Sequence, residues 1–405
     1  MSVPETSLAA PRSVWRDLSL PAVVAGFVTV LVGFTSSAAI VFQAAQAAGA
    51  TPAQVASWMW ALGLGMGLTC IVLSLRYRVP VVTAWSTPGA AMLATGAAGL
   101  GIEQATGAFV VSAVLITLAG FSGVFERLIS RVPVAIASGM LAGVLLRFGL
   151  DAFGALETQF GLALPMIAAY VVLRRWQPRY AVVATLAIGI AIAAARGLLA
   201  WQAVQIEIAR PVWVAPAFSV NAIVSVAIPL FLVTMASQNV PGVAVMRGSG
   251  YAVPISPVVG WTGAANLLLA PFGAFALNLA AITAAICMGR EAHDDPARRY
   301  VAAVAAGVFY VVVGVFGATV AAVFAAFPKE LVVVIAGLAL LGTIGSGLAA
   351  ALADEREREA ALLTFLVTAS GISLFGIKSA FWGLVAGTLA LLVQRVGRRS
   401  VPPAA

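Results

Sequence analysis

The sequence predicts an all-α polytopic membrane protein of fourteen transmembrane segments, built as two inverted sets of seven, with short β-strands in the third and tenth segments. Three observations predict it. The 405-residue chain is 62% hydrophobic and 9% charged, with a mean hydropathy of +1.04, which excludes a soluble globule with a polar shell. Its basic residues gather on alternate loops. Two short segments, one in each half, are interrupted near their middle.

Apolar runs between charges and turn residues fall near 21–47, 53–75, 80–99, 105–128, 133–150, 160–175, 180–200, 217–240, 254–270, 272–289, 298–326, 329–352, 359–375 and 379–396. Lys and Arg stay on the cytoplasmic side of short loops, so their placement gives orientation. With both termini inside, eighteen of the 23 basic residues are cytoplasmic, among them Arg76, Arg78, Arg174, Arg175, Arg298 and Arg299. Arg196, Arg210, Lys329 and Lys378 fall outside, and Arg147 lies within a span. The formal charge of +8 is thus a topology signal and not a nucleic-acid footprint. The first 20 residues lack the apolar core of a cleavable signal peptide, and Trp15-Arg16-Asp17 reads as a surface helix. Cys70 and Cys287 sit in apolar runs and read as small buried hydrophobes, not a disulfide.

The third and tenth spans carry the chemistry. In Val79 to Gly89 a β-leaning run meets a cap residue, Ser86 or Thr87, and Thr87 as cap would place Pro88 at the first helical position. In Pro271 to Leu279 the cap is expected at Asn278. Helices from Pro88 to Gly101 and from Asn278 to Gly289 would rise only roughly 18 to 21 Å, short of a hydrocarbon core of about 30 Å. Extended residues must cover the rest. A further echo, Pro133 to Leu146 against Pro328 to Leu341, supports a repeat of seven spans, and an odd number inverts the second half. Residues 201–216 between the halves, with Trp201 and Trp213, read as an interfacial linker.

The Val82 to Gly89 run, Met235-Ala236-Ser237-Gln238-Asn239-Val240-Pro241-Gly242, and Ala276 to Gly289 resemble the BenE family of benzoate transporters, and the resemblance spans about residues 15 to 396. It implies the architecture of nucleobase and sulfate/bicarbonate transporters. A core domain would comprise residues 15–132 (spans 1–4) and 217–327 (spans 8–11), and a gate domain residues 133–200 (spans 5–7) and 328–397 (spans 12–14). Residues 1–14 and 398–405 would be cytoplasmic tails. The resemblance further implies import of benzoate with a proton across a bacterial-type inner membrane, with no cofactor or metal, by a protein whose relatives are often homodimers. Nucleobase relatives carry carboxylates in spans 8 and 10, where this chain has Gln238 and Leu277. Neutral groups suit a substrate that itself brings the negative charge.

Two half-helix N-termini near the membrane midplane each present free N–H groups and about half a positive charge, so a small anion is the natural occupant. The expected substrate-binding residues are Ser86, Thr87 and Pro88 at the first cap, Gln238 and Asn239 in span 8, and Phe275, Ala276, Leu277 and Asn278 at the second cap. Phe275 is placed to meet an aromatic ring, with Phe34 and Phe42 of span 1 as weaker candidates. The same residue types also serve as ordinary caps and ordinary packing. Glu126 is the core-domain candidate for a proton carrier, unless the substrate crosses with its own proton. Arg147 and Asp151, four apart on one helix face, are gate candidates. His293 and the Asp354 to Glu359 run read as solvated loops. Another small anion or a nucleobase is the alternative substrate, and a passive anion channel the alternative mode. An enzyme would want an intramembrane acid, base or metal cluster that the sequence lacks.

Overall fold

Helix starts follow the local code. Thr51 and Gln54 form a reciprocal capping box at the head of Pro52–Tyr77, with Pro52 where its missing N–H is harmless. Ser19 caps Leu20–Ala47 by accepting from Ala22 N–H. The computed structural model describes residues 14–123, 133–177, 181–290, 292–374 and 377–398. Among these, seven helices are long and apolar enough to cross a membrane: Pro52–Tyr77, Ile102–Phe121, Val134–Thr158, Val220–Arg247, Ile255–Phe272, Pro296–Val315 and Lys329–Ala351. Leu20–Phe34 and Ser37–Ala47, bent by 43° against each other, pass the same test when taken together. Phe160–Trp176, Ala181–Ala195 and Ser379–Arg398 are further apolar helices.

Small residues set the packing. Pro52–Tyr77 lies against Tyr300–Val315 so closely that a Cβ on Gly63 would come within 2.5 Å of Gly314 Cα, and one on Gly67 within 2.6 Å of Gly307 O. Ile102–Phe121 meets Ile255–Leu269 the same way, with a Cβ on Gly120 only 2.2 Å from Gly260 N. Lipid gives helices no hydrophobic reason to associate, so close van der Waals approach at glycine supplies the attraction. A second group of helices packs around Val134–Thr158, which contacts both Lys329–Ala351 and Arg358–Ala369. Here a Cβ on Gly337 would meet Phe148 O at 2.3 Å.

Several expectations need correction. The span expected at 298–326 is two helices, Tyr300–Val315 and Gly317–Ala325, divided at Phe316. The span expected at 359–375 ends at Ala369, because Gly371 takes φ +68° and turns the chain into a hairpin, Ser373–Leu374 against Ile377–Lys378. The half-helices are shorter than expected, Thr87–Gly96 and Ile282–Met288. Finally, Val220–Arg247 contains two π-turns, Ile223–Ala227 and Met235–Asn239. Each ends two residues before a proline, Pro229 or Pro241, whose missing N–H and ring bulk disrupt the regular ladder one turn earlier.

Candidate functional site

At the centre of the molecule the two interrupted segments pair with each other. Strand β1 (Thr83–Trp85) runs antiparallel to β2 (Leu277–Leu279), with Thr83 opposite Leu279, Ala84 opposite Asn278 and Trp85 opposite Leu277. Ser86 N–H donates to Ala276 O at 3.1 Å and Ala280 N–H to Val82 O at 2.9 Å, extending the ribbon at both ends. A two-stranded ribbon has two open edges, and in a membrane interior no water satisfies them. Side chains do so instead. Along β1, Val81 N–H donates to Ser74 Oγ (3.0 Å) and Thr83 N–H to Cys70 Sγ (3.2 Å), while Thr83 Oγ1 pairs with Thr69 Oγ1 at 2.6 Å. Along β2, Leu279 N–H donates to Asn239 Oδ1 (2.9 Å) and Leu277 N–H to Asn266 Oδ1 (3.5 Å). The π-turn at Met235–Asn239 thus has a local use: Asn239 serves the ribbon while its neighbours Ser237 and Gln238 face a cavity.

The helix cap of the first segment is Ser86, not Thr87. Its Oγ accepts from Gly89 N–H at 3.0 Å, and Thr87 and Pro88 form the first two helical positions. Ala90 N–H donates to Ser86 O and Pro88 has no N–H, so Thr87 holds the one first-turn amide that the cap does not engage. Asn278 is not a cap at all. It lies inside β2, and its Nδ2 turns back to Ala276 O at 3.0 Å. The expectation failed because Asn suits a helix start locally, whereas the partner strand keeps this backbone extended to Ala280. The second helix begins at Ile282, after Ala281, without a side-chain cap. The register separates Ser86 from Ala281 by five residues of ribbon, about 16 Å. Ala276 has φ +46°, a left-handed conformation unusual for a residue with a Cβ. Two donors on its carbonyl, Ser86 N–H and Asn278 Nδ2, hold it there.

Both half-helix starts open on one cavity of about 860 Å³, bordered by Trp85, Thr87 and Pro88 on one side and Ala280, Ala281 and Thr283 on the other. Gln238, Tyr310, Ser37, Tyr170 and Arg174 complete its polar wall. Its size falls within the range of small-molecule sites. Trp85 is fixed by its Nε1–H, which donates to Ser37 Oγ at 2.9 Å, and by Phe34, whose ring meets it edge-on at 4.8 Å. Phe34 also packs on Tyr310 at 6.1 Å. Among the described residues that line the cavity, Arg174 is the one charged group and none is a carboxylate. A second cavity of about 1050 Å³ lies beside Phe42, Gln46, Glu207, Arg210 and Lys329. Leu20–Ala47 and Lys329–Ala351 border both cavities from different stretches of their length, Ser37 against Gln46 and Ser346 against Lys329, so the two openings lie toward opposite ends of these helices.

Of the residues expected from the sequence, Thr87, Pro88 and Gln238 line the 860 Å³ cavity. Ser86, Asn239 and Asn278 are buried in the hydrogen-bonded frame behind it. Ala276 and Leu277 are fully buried in the ribbon, and Phe275 packs between Trp58 and Phe109 with both ring separations 5.7 Å. Phe42 stacks on Phe324 at 4.6 Å beside the other cavity. Arg147 and Asp151 form an ion pair at 3.9 Å with both side chains largely exposed, and Asp151 borders the second cavity. Glu126 lies outside the described residues. Ser37, Trp85, Tyr170, Arg174, Thr283 and Tyr310 also line the 860 Å³ cavity and are not among the residues expected there from the sequence. Arg174 had counted only as a topology charge, and no spacing signal marks Tyr170, Thr283 or Tyr310.

The family description "Benzoate membrane transport protein" matches residues 16–393. The chain is 51% identical over 373 residues to the inner membrane protein YdcO of Escherichia coli (strain K12), covering 92% of this chain and 95% of that one. It is 40% identical over 382 residues to the benzoate membrane transport protein of Acinetobacter baylyi, covering 94% and 97%. Among solved structures, SLC26A9 matches 95% of this chain with a TM-score of 0.65 at 14% identity, and this chain spans 66% of that longer one. The transmembrane domain of the cyanobacterial bicarbonate transporter BicA matches 95% of this chain and 98% of that one, with a TM-score of 0.55 at 14% identity. These two likenesses are of fold.

Proposed function

Because the chain belongs to the BenE family of benzoate membrane transport proteins, we propose that this multi-pass membrane transporter imports benzoate or a similar small aromatic carboxylate, together with a proton, by alternating access. One observation carries the substrate class. Two broken segments present their helix starts to a single cavity whose described lining contains no carboxylate, an arrangement that favours an anion. Thr87 N–H and hydroxyl and the Gln238 amide are the groups we assign to the substrate carboxylate. Trp85 and Tyr310 are the flat surfaces we assign to its ring. Ser86, Asn239 and Asn278 act on this reading from behind, by holding the ribbon in register.

Fourteen spans in an inverted 7+7 arrangement, with both termini cytoplasmic, belong to the same proposal. Packing supports the sevenfold repeat. Exchanging each span with the one seven places away turns the pair Pro52–Tyr77 with Tyr300–Val315 into the pair Ile255–Leu269 with Ile102–Phe121, and both pairs are in contact. The exchange also relates Phe160–Trp176 with Ala181–Ala195 to Arg358–Ala369 with Ser379–Arg398, again both in contact. A core of spans 1–4 and 8–11 would then move against a gate of spans 5–7 and 12–14, exposing one cavity and then the other, with Arg147 and Asp151 at the outer edge of the gate. Proton coupling is assigned to Glu126. Association into homodimers would follow its relatives.

The test is a ligand-stabilisation screen of the purified protein against aromatic carboxylates, nucleobases and inorganic anions. Benzoate or a close analogue is expected to raise the melting temperature, and Gln238→Ala to weaken that effect. Stabilisation by nucleobases alone, or by inorganic anions alone, refutes the proposed substrate class.

A further inference from the structure

We propose that Arg174 is a substrate-binding residue: its guanidinium receives the carboxylate of the transported molecule from the side of the cavity opposite the broken segments. This rests on the small-carboxylate reading and adds to it the residue that selects for charge. Arg174 lies in the last turn of Phe160–Trp176, where the sequence suggests nothing more than a cation at a membrane boundary. The structure places it in the cavity wall, as the one charged residue among the described residues that line it. Its Nη1 donates to the Tyr170 hydroxyl one turn earlier, and its cation sits 5.6 Å from the centre of that ring. Tyr170 therefore restrains the guanidinium by one edge. Arg's planar fork presents several donors, so the remaining ones stay available to a carboxylate.

The far wall is shaped to admit this group. Gly342, on Lys329–Ala351, faces it so closely that a Cβ there would lie 3.2 Å from Arg174 Nη2. No described carboxylate in the lining competes for the cation, so an incoming anion meets it unneutralised. A planar carboxylate matches a guanidinium with two parallel hydrogen bonds, which a neutral isostere of the same shape does not reproduce. Thr87 and Gln238 stand on segments assigned to the core, and Arg174 on one assigned to the gate. A carboxylate held between them binds both bodies at once, so that closing around the substrate is favoured by the substrate's own charge.

The test is equilibrium binding of benzoate and of benzamide, its uncharged isostere, to the purified full-length protein. The wild type is expected to prefer benzoate. Arg174→Gln is expected to weaken benzoate about tenfold or more, the scale of a lost charge-assisted hydrogen bond, and to abolish the preference over benzamide. Arg174→Lys should keep part of it, and Tyr170→Phe should weaken benzoate a few-fold by freeing the guanidinium. Benzoate affinity within twofold of the wild type in Arg174→Gln overturns the assignment while leaving the carboxylate reading intact. If that variant does not fold, wild-type affinity in both Arg174→Lys and Tyr170→Phe overturns it equally. A wild type that binds no aromatic carboxylate refutes the underlying reading, and Arg174's role with it.

Discussion

Two adjacent residues, Gln238 and Asn239, should respond to substitution in opposite ways. Asn239 is fully buried and its Oδ1 accepts from Leu279 N–H at 2.9 Å, the bond that closes the outer edge of β2. Asn239→Leu keeps the branching of the side chain, in a larger volume, but removes that acceptor, leaving an N–H unpaired where no water reaches. Such a loss costs about 1–3 kcal/mol. Unfolding entropy of about 2.1 cal/mol/K per residue, scaled to this chain, converts 1 kcal/mol into about 1 °C. The expected drop in melting temperature is therefore about 1–4 °C, read by tryptophan fluorescence in detergent. Gln238 is half-buried and faces the cavity, so Gln238→Ala should melt as the wild type does and lose affinity for benzoate. If Asn239→Leu melts and binds like the wild type, the ribbon edge does not depend on Asn239 and the account of the π-turn fails.

Gly273→Ala should give little folded protein in detergent extracts, because φ is +102° there and a Cβ would sit 1.8 Å from Trp58 Cδ1; normal yield and melting would contradict that packing. Ser86→Ala removes the acceptor for Gly89 N–H and should cost about 1 kcal/mol, seen as a melting shift of about 1 °C with benzoate affinity within threefold of the wild type. Ala276→Gly relieves a left-handed alanine and should raise the melting temperature by about 1 °C, since that conformation costs about 1 kcal/mol with a Cβ present. Glu126→Gln should uncouple substrate uptake from proton flux in proteoliposomes, and intact coupled uptake removes Glu126 from the mechanism.

What the sequence made legible was the local chemistry of each segment. A cap at Ser86 or Thr87 is legible because a hydroxyl ahead of Pro88 and Gly89 suits a helix start, and the structure selects Ser86 with no tertiary partner overriding it. Asn278 has an equally good local claim and loses it, because Ala84 on the opposite strand holds it extended. That contact joins residues almost two hundred positions apart, beyond the reach of any local pattern. Arg174 illustrates a second limit. Positive charge at the end of a span fixes which side of the bilayer it faces, but the rotation of a helix with apolar residues on every side is set by its neighbours. Phe275 shows the reverse error of emphasis: an aromatic beside a break looks like a ligand contact, and the structure packs it among Trp58 and Phe109.

The β1–β2 ribbon has a consequence for the order in which the protein matures. Each strand comes from a different half of the polypeptide, so Thr83–Trp85 leaves the ribosome long before Leu277–Leu279 exists to meet it. During that interval the backbone groups of Val82 and Ser86 wait for Ala280 and Ala276. The centre of the first half is thus finished only by synthesis of the second, and assembly of the transport pathway is necessarily a late, post-insertion event.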